Sequence, residues 1–122
     1  MKKIKGENTE DKLYLAKYLT KALGGRWKLY ILFILDNGGT VRFGQMKKKL
    51  DNISNVMLSK TLKELEQDGI IVRHQYNEVP PHVDYTLTEK GKNVIPALIM
   101  LSDWAQEYIQ EDNNIKPVRE EC

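Results

Sequence analysis

Between Asn55 and Gln67 the sequence NVMLSKTLKELEQ sets Val56, Ser59, Lys60, Lys63 and Gln67 on one side of a helical projection, opposite Leu58, Leu62 and Leu65, with Asn55 beside the N-terminus. These residue types suit the edges and backbone of a duplex. Lysine donates to phosphates or to guanine O6 and N7, asparagine pairs with adenine N6 and N7, serine adapts to several edges, and valine meets the thymine methyl. The Ser54 hydroxyl at the start of the segment is a helix cap, and the positive end of the helix favours a nearby phosphate. An ordinary amphipathic helix with a solvated outer face shows the same spacing, so the flanking segments have to decide.

They point the same way. Before Ser54, Asp51-Asn52-Ile53 is a tight turn, and before that Phe43, Met46 and Leu50 face inward from a short helix whose Lys47, Lys48 and Lys49 lie outside. Two helices so closely joined form a helix-turn-helix. After Gly69, a β-rich stretch from Ile70 to about Tyr76 meets the breakers Asn77 to Pro81. Alternating Val83, Tyr85 and Leu87 then mark a returning strand over His82 to Leu87. This hairpin is a wing, and it carries Arg73, His74, Gln75 and His82, any of which reaches a phosphate or the minor groove.

Other chemistry is poorly provided for. His74 and His82 could face each other across the hairpin, but two histidines without a clustered third ligand fall short of a zinc site. The single thiol, Cys122, is the last residue, so no internal disulfide exists and no triad converges on it. Gly24-Gly25-Arg26-Trp27 opens a helix without the lysine spacing of a phosphate loop. The reading is no catalytic residue, no metal and no cofactor.

Charge supports a duplex partner by its placement and not by its total. The 122 residues carry a net charge of only +2, yet Arg42, Lys47, Lys48, Lys49, Lys60 and Lys63 stand against Asp51 alone between positions 42 and 63. Acid collects near the ends, at Glu7, Glu10, Asp11, Glu111, Asp112, Glu120 and Glu121. No apolar run approaches the roughly 20 residues that span a bilayer, and MKKIKGENTEDK has no apolar segment behind its basic start. The expected location is the cytoplasm, on the nucleoid.

The remaining elements complete one α+β, mostly helical domain over 1–122: a winged helix-turn-helix with N- and C-terminal dimerisation helices. A first helix (9–23) starts at the Thr9 cap, shows Leu15, Leu19, Ala22 and Leu23 on one face, and stops at Gly24-Gly25. The helical core (26–69) begins with a helix striped by Trp27, Tyr30, Ile31, Ile34 and Leu35, stopped by Asn37-Gly38-Gly39. Val41-Arg42 then form a short strand. The wing covers 70–87. A last helix (88–112), capped by Thr88, aligns Val94, Leu98, Leu101, Ala105 and Tyr108 on a face widened by Ile95, Ile99, Met100 and Trp104, and is kinked by Pro96 unless that residue sits near its start. A flexible tail (113–122) follows. The terminal helices expose more apolar surface than so small a core absorbs, which predicts a homodimer with Leu13, Leu101, Trp104 and Tyr108 at the interface. Its two recognition helices would sit about 34 Å apart, on an inverted repeat.

The segments Gly24-Gly25-Arg26-Trp27, Arg42-Phe43-Gly44, Ile53-Ser54, Leu62 to Gly69 and Val79 to Thr88 together resemble the HxlR-type winged helix-turn-helix regulators of bacteria, with a more distant likeness to the MarR type. The resemblance covers about residues 13 to 105. It implies a homodimeric transcription factor whose first and last helices form the dimer. Some members sense oxidants through a cysteine ahead of the GG[KR]W segment; that place falls at about Tyr14 here, which speaks against thiol sensing. Cys122 is misplaced for that role, although a tail thiol could join two subunits. A small-molecule effector at the dimer seam, or abundance alone, would then carry the signal.

The expected DNA-binding residues are Arg42, Lys48, Ser54, Asn55, Val56, Ser59, Lys60, Lys63, Arg73 and His82, with double-stranded DNA as partner. The rival reading is a winged-helix protein–protein interaction module that binds no DNA.

Overall fold

Ser54 and Thr88 set the two helix starts that frame the wing. The computed structural model describes residues 4–112; Cys122 and the expected tail lie outside the described residues. Helix α1 spans Thr9–Leu23, α2 Lys28–Gly38, α3 Phe43–Lys49, α4 Asn55–Gln67 and α5 Glu89–Tyr108, with a 3-10 turn at Ile109–Glu111. Strands are β1 (Val41–Arg42), β2 (Ile71–Tyr76) and β3 (His82–Leu87). The Ser54 hydroxyl accepts the Met57 amide at 3.0 Å and so satisfies one of the free N–H groups at the start of α4. Thr88 Oγ1 accepts the Gly91 amide at 3.1 Å and donates to the Gly69 carbonyl at 2.6 Å, which ties α5 to the end of α4.

One cap differs from the sequence expectation. Asn8, not Thr9, caps α1, and its side chain accepts the Asp11 amide at 2.8 Å. Asparagine caps at least as well as threonine, so the helix gains a residue and Thr9 becomes its first turn.

The sheet is antiparallel in the order β1-β3-β2. Its register pairs Ile71 with Leu87, Arg73 with Tyr85 and Gln75 with Val83 on one face, and Val72 with Thr86, His74 with Asp84 and Tyr76 with His82 on the other. β1 adds Val41 opposite Tyr85 and Arg42 opposite Asp84. The first face closes the core. Ile31, Leu32 and Leu35 of α2, Met46 of α3, Leu58, Leu62 and Leu65 of α4, Ile71 of β2, Tyr85 of β3, and Ile95 and Leu98 of α5 are buried together.

On α2 the buried face is rotated from the expected one, and on α5 only the first part of the expected apolar face is buried. On α2 the buried line is Lys28, Ile31, Leu32 and Leu35, whereas Tyr30 is exposed and Trp27 and Ile34 are half-buried. On α5 the buried line is Gly91, Ile95 and Leu98; Leu101, Ala105 and Tyr108 are exposed. The reason is reach. α5 packs on α2 and β3, its buried residues all lie in its first half, and from Ile99 onward every residue is exposed. Pro96 lies inside α5, where its ring removes the amide that would bond the Lys92 carbonyl.

Candidate nucleic-acid interface

Helix α4 presents a polar ridge because its other side is committed to the core. Leu58, Leu62 and Leu65 are buried, and Thr61 joins them by donating its hydroxyl to the Met57 carbonyl at 2.8 Å. Asn55, Val56, Ser59, Lys60, Lys63 and Gln67 are all exposed. Val56 is 79% exposed, an apolar side chain at the helix N-terminus that none of the described residues covers. Ser54 is exposed as well, but its oxygen is engaged as the cap, which uses one of its two lone pairs and leaves the hydroxyl hydrogen and the other lone pair to contact a ligand.

A groove runs along each flank of this ridge. Toward the wing it is lined by Phe43, Ser59, Lys63, Glu66, Arg73, Val83 and Tyr85. On the opposite flank it is lined by the turn from Gly24 to Lys28 together with Met57, Lys60, Thr61 and Glu64. Lys48 is exposed at a third recess, beside Val41 and Gln45. The expected DNA-binding residues thus divide by place: Ser54 to Lys63 on the ridge, Arg73 on its wing flank, Arg42 and Lys48 at the base of the sheet and on α3. The Arg42 amide donates to Gln45 Oε1 at 2.9 Å and so fixes the start of α3.

The wing differs from expectation in its histidines. They do not face each other: His74 lies opposite Asp84, and His82 opposite Tyr76. The cause is the length of the breaker segment, which carries a cis Val79–Pro80 peptide and closes a register that pairs 76 with 82. The His82 ring stacks on Tyr76 with centroids 4.5 Å apart, and its Nδ1 is 3.9 Å from a Glu78 carboxylate oxygen. His74 Nε2 is 3.4 Å from Thr86 Oγ1. No group of three histidine, cysteine, aspartate or glutamate side chains is placed to hold a metal ion among the described residues.

Arg73 stands over Tyr85 on the core-facing side of the hairpin. Burial raises the Tyr85 pKa, and the hydrogen bond and charge of Arg73 act against that rise. On the other side, Asp84 is buried, and its Oδ1 has no hydrogen-bond partner among the described residues. Its charge raises the pKa of the neighbouring Tyr76 phenol. Sequence reasoning treated Tyr85 only as an alternating core residue and passed over Asp84 and Tyr76. The alternation itself places Asp84 opposite the core face, but which side chains cover it depends on strand register.

The terminal helices leave a broad apolar surface open. In α1 only Ala22 is buried. Leu13 is 65% exposed, and Leu101, Trp104 and Tyr108 of α5 are 60%, 65% and 50% exposed. Tyr14, Tyr18, Leu19, Ile99 and Met100 are exposed with them. The Trp104 and Tyr108 rings lie 5.5 Å apart, tilted, on one side of α5. Among the described residues no helix is long and apolar enough to cross a membrane.

Comparison with known proteins fits this geometry. The family model of HxlR-like helix-turn-helix proteins matches residues 22–113. An HTH-type transcriptional regulator of Methanothermobacter thermautotrophicus, itself uncharacterised, is 40% identical over 111 residues, covering 89% of this chain and 84% of its own. The oxidised form of the redox regulator HypR superposes with a TM-score of 0.71 at 32% identity, over 76% of this chain and 95% of that one. The reduced form of the transcriptional regulator YodB from Bacillus subtilis gives a TM-score of 0.68 at 35% identity, over 84% and 96%.

Proposed function

The chain belongs to the HxlR-like helix-turn-helix family and is a transcriptional regulator of that type, and we propose that it acts as a homodimer that binds an inverted-repeat operator in duplex DNA. One observation carries this reading: α4 is buried along one line and offers Val56, Ser59, Lys60 and Lys63 along the other, with Asn55 exposed in its first turn, directly beside the β2–β3 wing. The ridge enters the major groove, where Lys60, Lys63 and Asn55 meet base edges or phosphates. Arg73, His82, Arg42 and Lys48 meet the flanking backbone. The exposed faces of α1 and α5, with Leu13, Leu101, Trp104 and Tyr108, pack against a second copy. The regulator works in the cytoplasm on nucleoid DNA. Tyr14 stands exposed on α1 at about the place where thiol sensors of this family carry cysteine, and a phenol forms no disulfide, so thiol sensing at that place is not how this chain is controlled.

In-vitro selection from a random duplex library tests the proposal. Enrichment of an inverted repeat with half-sites about 10 base pairs apart is the expected result. Failure to enrich any sequence favours the rival, a winged-helix module that contacts protein. On the selected duplex, Lys60→Ala or Lys63→Ala weakens binding by about 1–3 kcal/mol if that lysine reads a base, and the loss is then concentrated at one position of the site. A lysine that touches phosphate alone gives a uniform loss and a shallower salt dependence. Unchanged affinity in both variants would remove the proposed face.

A further inference from the structure

The Gly24 to Trp27 turn lies across a groove from the recognition helix and away from the wing, and it holds a cation that the reading above does not use. We infer that Arg26 is a phosphodiester contact, engaging the DNA strand on the flank of α4 opposite the wing. This rests on the reading of α4 as the groove-entering helix.

The argument starts from the shape of the turn. A Cβ at Gly24 would sit 2.3 Å from the Thr20 carbonyl oxygen, and Gly25 has φ +97. Only glycines let the chain leave α1 so abruptly, and the reversal brings Arg26 and Trp27 back beside α4. The turn is anchored to α4 from beneath. Lys28 is buried, its Nζ donates to the Lys21 carbonyl at 3.0 Å, and it lies 3.4 Å from Glu64 Oε1. That pair offsets the Glu64 charge, which would otherwise repel a phosphate in this groove.

Arg26 itself is exposed, and no carboxylate lies within ion-pair distance of it among the described residues. Its guanidinium carbon sits 4.7 Å from the Trp27 ring centroid. Stacking on an aromatic face restrains the guanidinium while leaving its N–H edge free to donate. Lys60, on the ridge, lines the same groove.

Geometry supplies the ligand. A helix about 10–12 Å across fills a major groove about 12 Å wide, so phosphates of both strands flank it. On one flank Lys63 and Arg73 are available; on the other the groove is walled by the Gly24 to Lys28 turn, where Arg26 is the exposed cation beside Lys60. Phosphate contacts on both flanks hold the helix in register while carrying no sequence information themselves.

The test measures affinity against salt on the selected duplex for the full chain, Arg26→Ala, Arg26→Lys and Lys63→Ala. Arg26→Ala is expected to bind roughly 5- to 10-fold more weakly on every duplex tried, with a salt slope shallower by about 1 per protomer. Arg26→Lys should recover the slope but not all the affinity. Replacing the flanking phosphate by a neutral methylphosphonate should weaken the full chain and leave Arg26→Ala unaffected. Thermal unfolding should not change, because Arg26 is outside the core. The inference is overturned if Arg26→Ala matches the full chain while Lys63→Ala weakens binding, an outcome that leaves the DNA reading standing. A loss confined to particular bases overturns it too. Absence of duplex binding by the full chain would remove both.

Discussion

Replacing Trp104 with glutamate is expected to make the protein a monomer and to lower operator affinity by about 100-fold or more. The side chain is 65% exposed, and the exposed Met100, Leu101 and Tyr108 lie on the same side of α5, each within about 60° of it around the helix. Soluble monomers rarely leave so large a contiguous patch in water. A carboxylate placed in the centre of a dimer seam has to be desolvated without a partner, which costs more than the apolar contacts around it return. Each half-site then binds alone, and the gain from linking two binding events disappears. Sedimentation equilibrium reads the oligomeric state, and titration against full and half operators reads the coupling. Leu101→Asp should behave alike from the same helix. Both substitutions lie beyond the buried line of α5 that ends at Leu98, so helical circular dichroism should be retained. A dimer that survives both changes at micromolar concentration, with full operator affinity, would sink the proposed seam.

That seam also shows where sequence reasoning stops. Helix starts at Ser54 and Thr88, the breaker at Asn77 to Pro81 and the β3 alternation were legible because each depends on a few neighbouring residues. The recognition ridge was legible for a related reason: Leu58, Leu62 and Leu65 fix the phase of α4, and the outward set follows. Faces decided by remote partners were not. Hydrophobic spacing on α5 grouped Leu98 with Leu101 and Tyr108, although only Leu98 reaches the core. Periodicity reports that a side chain is apolar and not whether its own chain or a second copy covers it. On α2, Leu32 is buried and Tyr30 exposed because α4, α5 and the sheet all press on that helix and define a broader buried arc than one stripe. The burial of Asp84 was hidden similarly, since it follows from the pairing of β3 with both β1 and β2.

Gly91→Ala should destabilise the fold by about 3 kcal/mol, even though alanine is the better helix former by about 1 kcal/mol. From sequence, Gly91 is merely a weak residue early in a helix. In the structure it is buried, and a Cβ there would stand 2.3 Å from the Ile70 carbonyl oxygen and 3.1 Å from Leu87 Cδ2. The carbonyl belongs to rigid backbone at the entry to β2. It also accepts the Thr88 amide at 3.0 Å and lies 3.1 Å from Thr88 Oγ1, whose one hydrogen it shares with the nearer Gly69 carbonyl. A methyl group therefore has to push α5 away from the wing, loosening the Thr88 cap and the seat of Ile95 and Leu98 together. Urea unfolding measures the cost as a lower midpoint at unchanged slope. A midpoint equal to or above that of the unaltered chain would mean that α5 tolerates displacement, and the close approach at Gly91 would then not be what joins the last helix to the wing. Because α5 carries Trp104 in its second half, a displaced α5 should also weaken the dimer. The operator affinity of Gly91→Ala, measured well below the unfolding transition, is accordingly expected to fall while Lys63→Ala leaves the unfolding midpoint unchanged. The two variants thereby separate the framework proposed to set the spacing of two recognition helices from the ridge proposed to touch DNA.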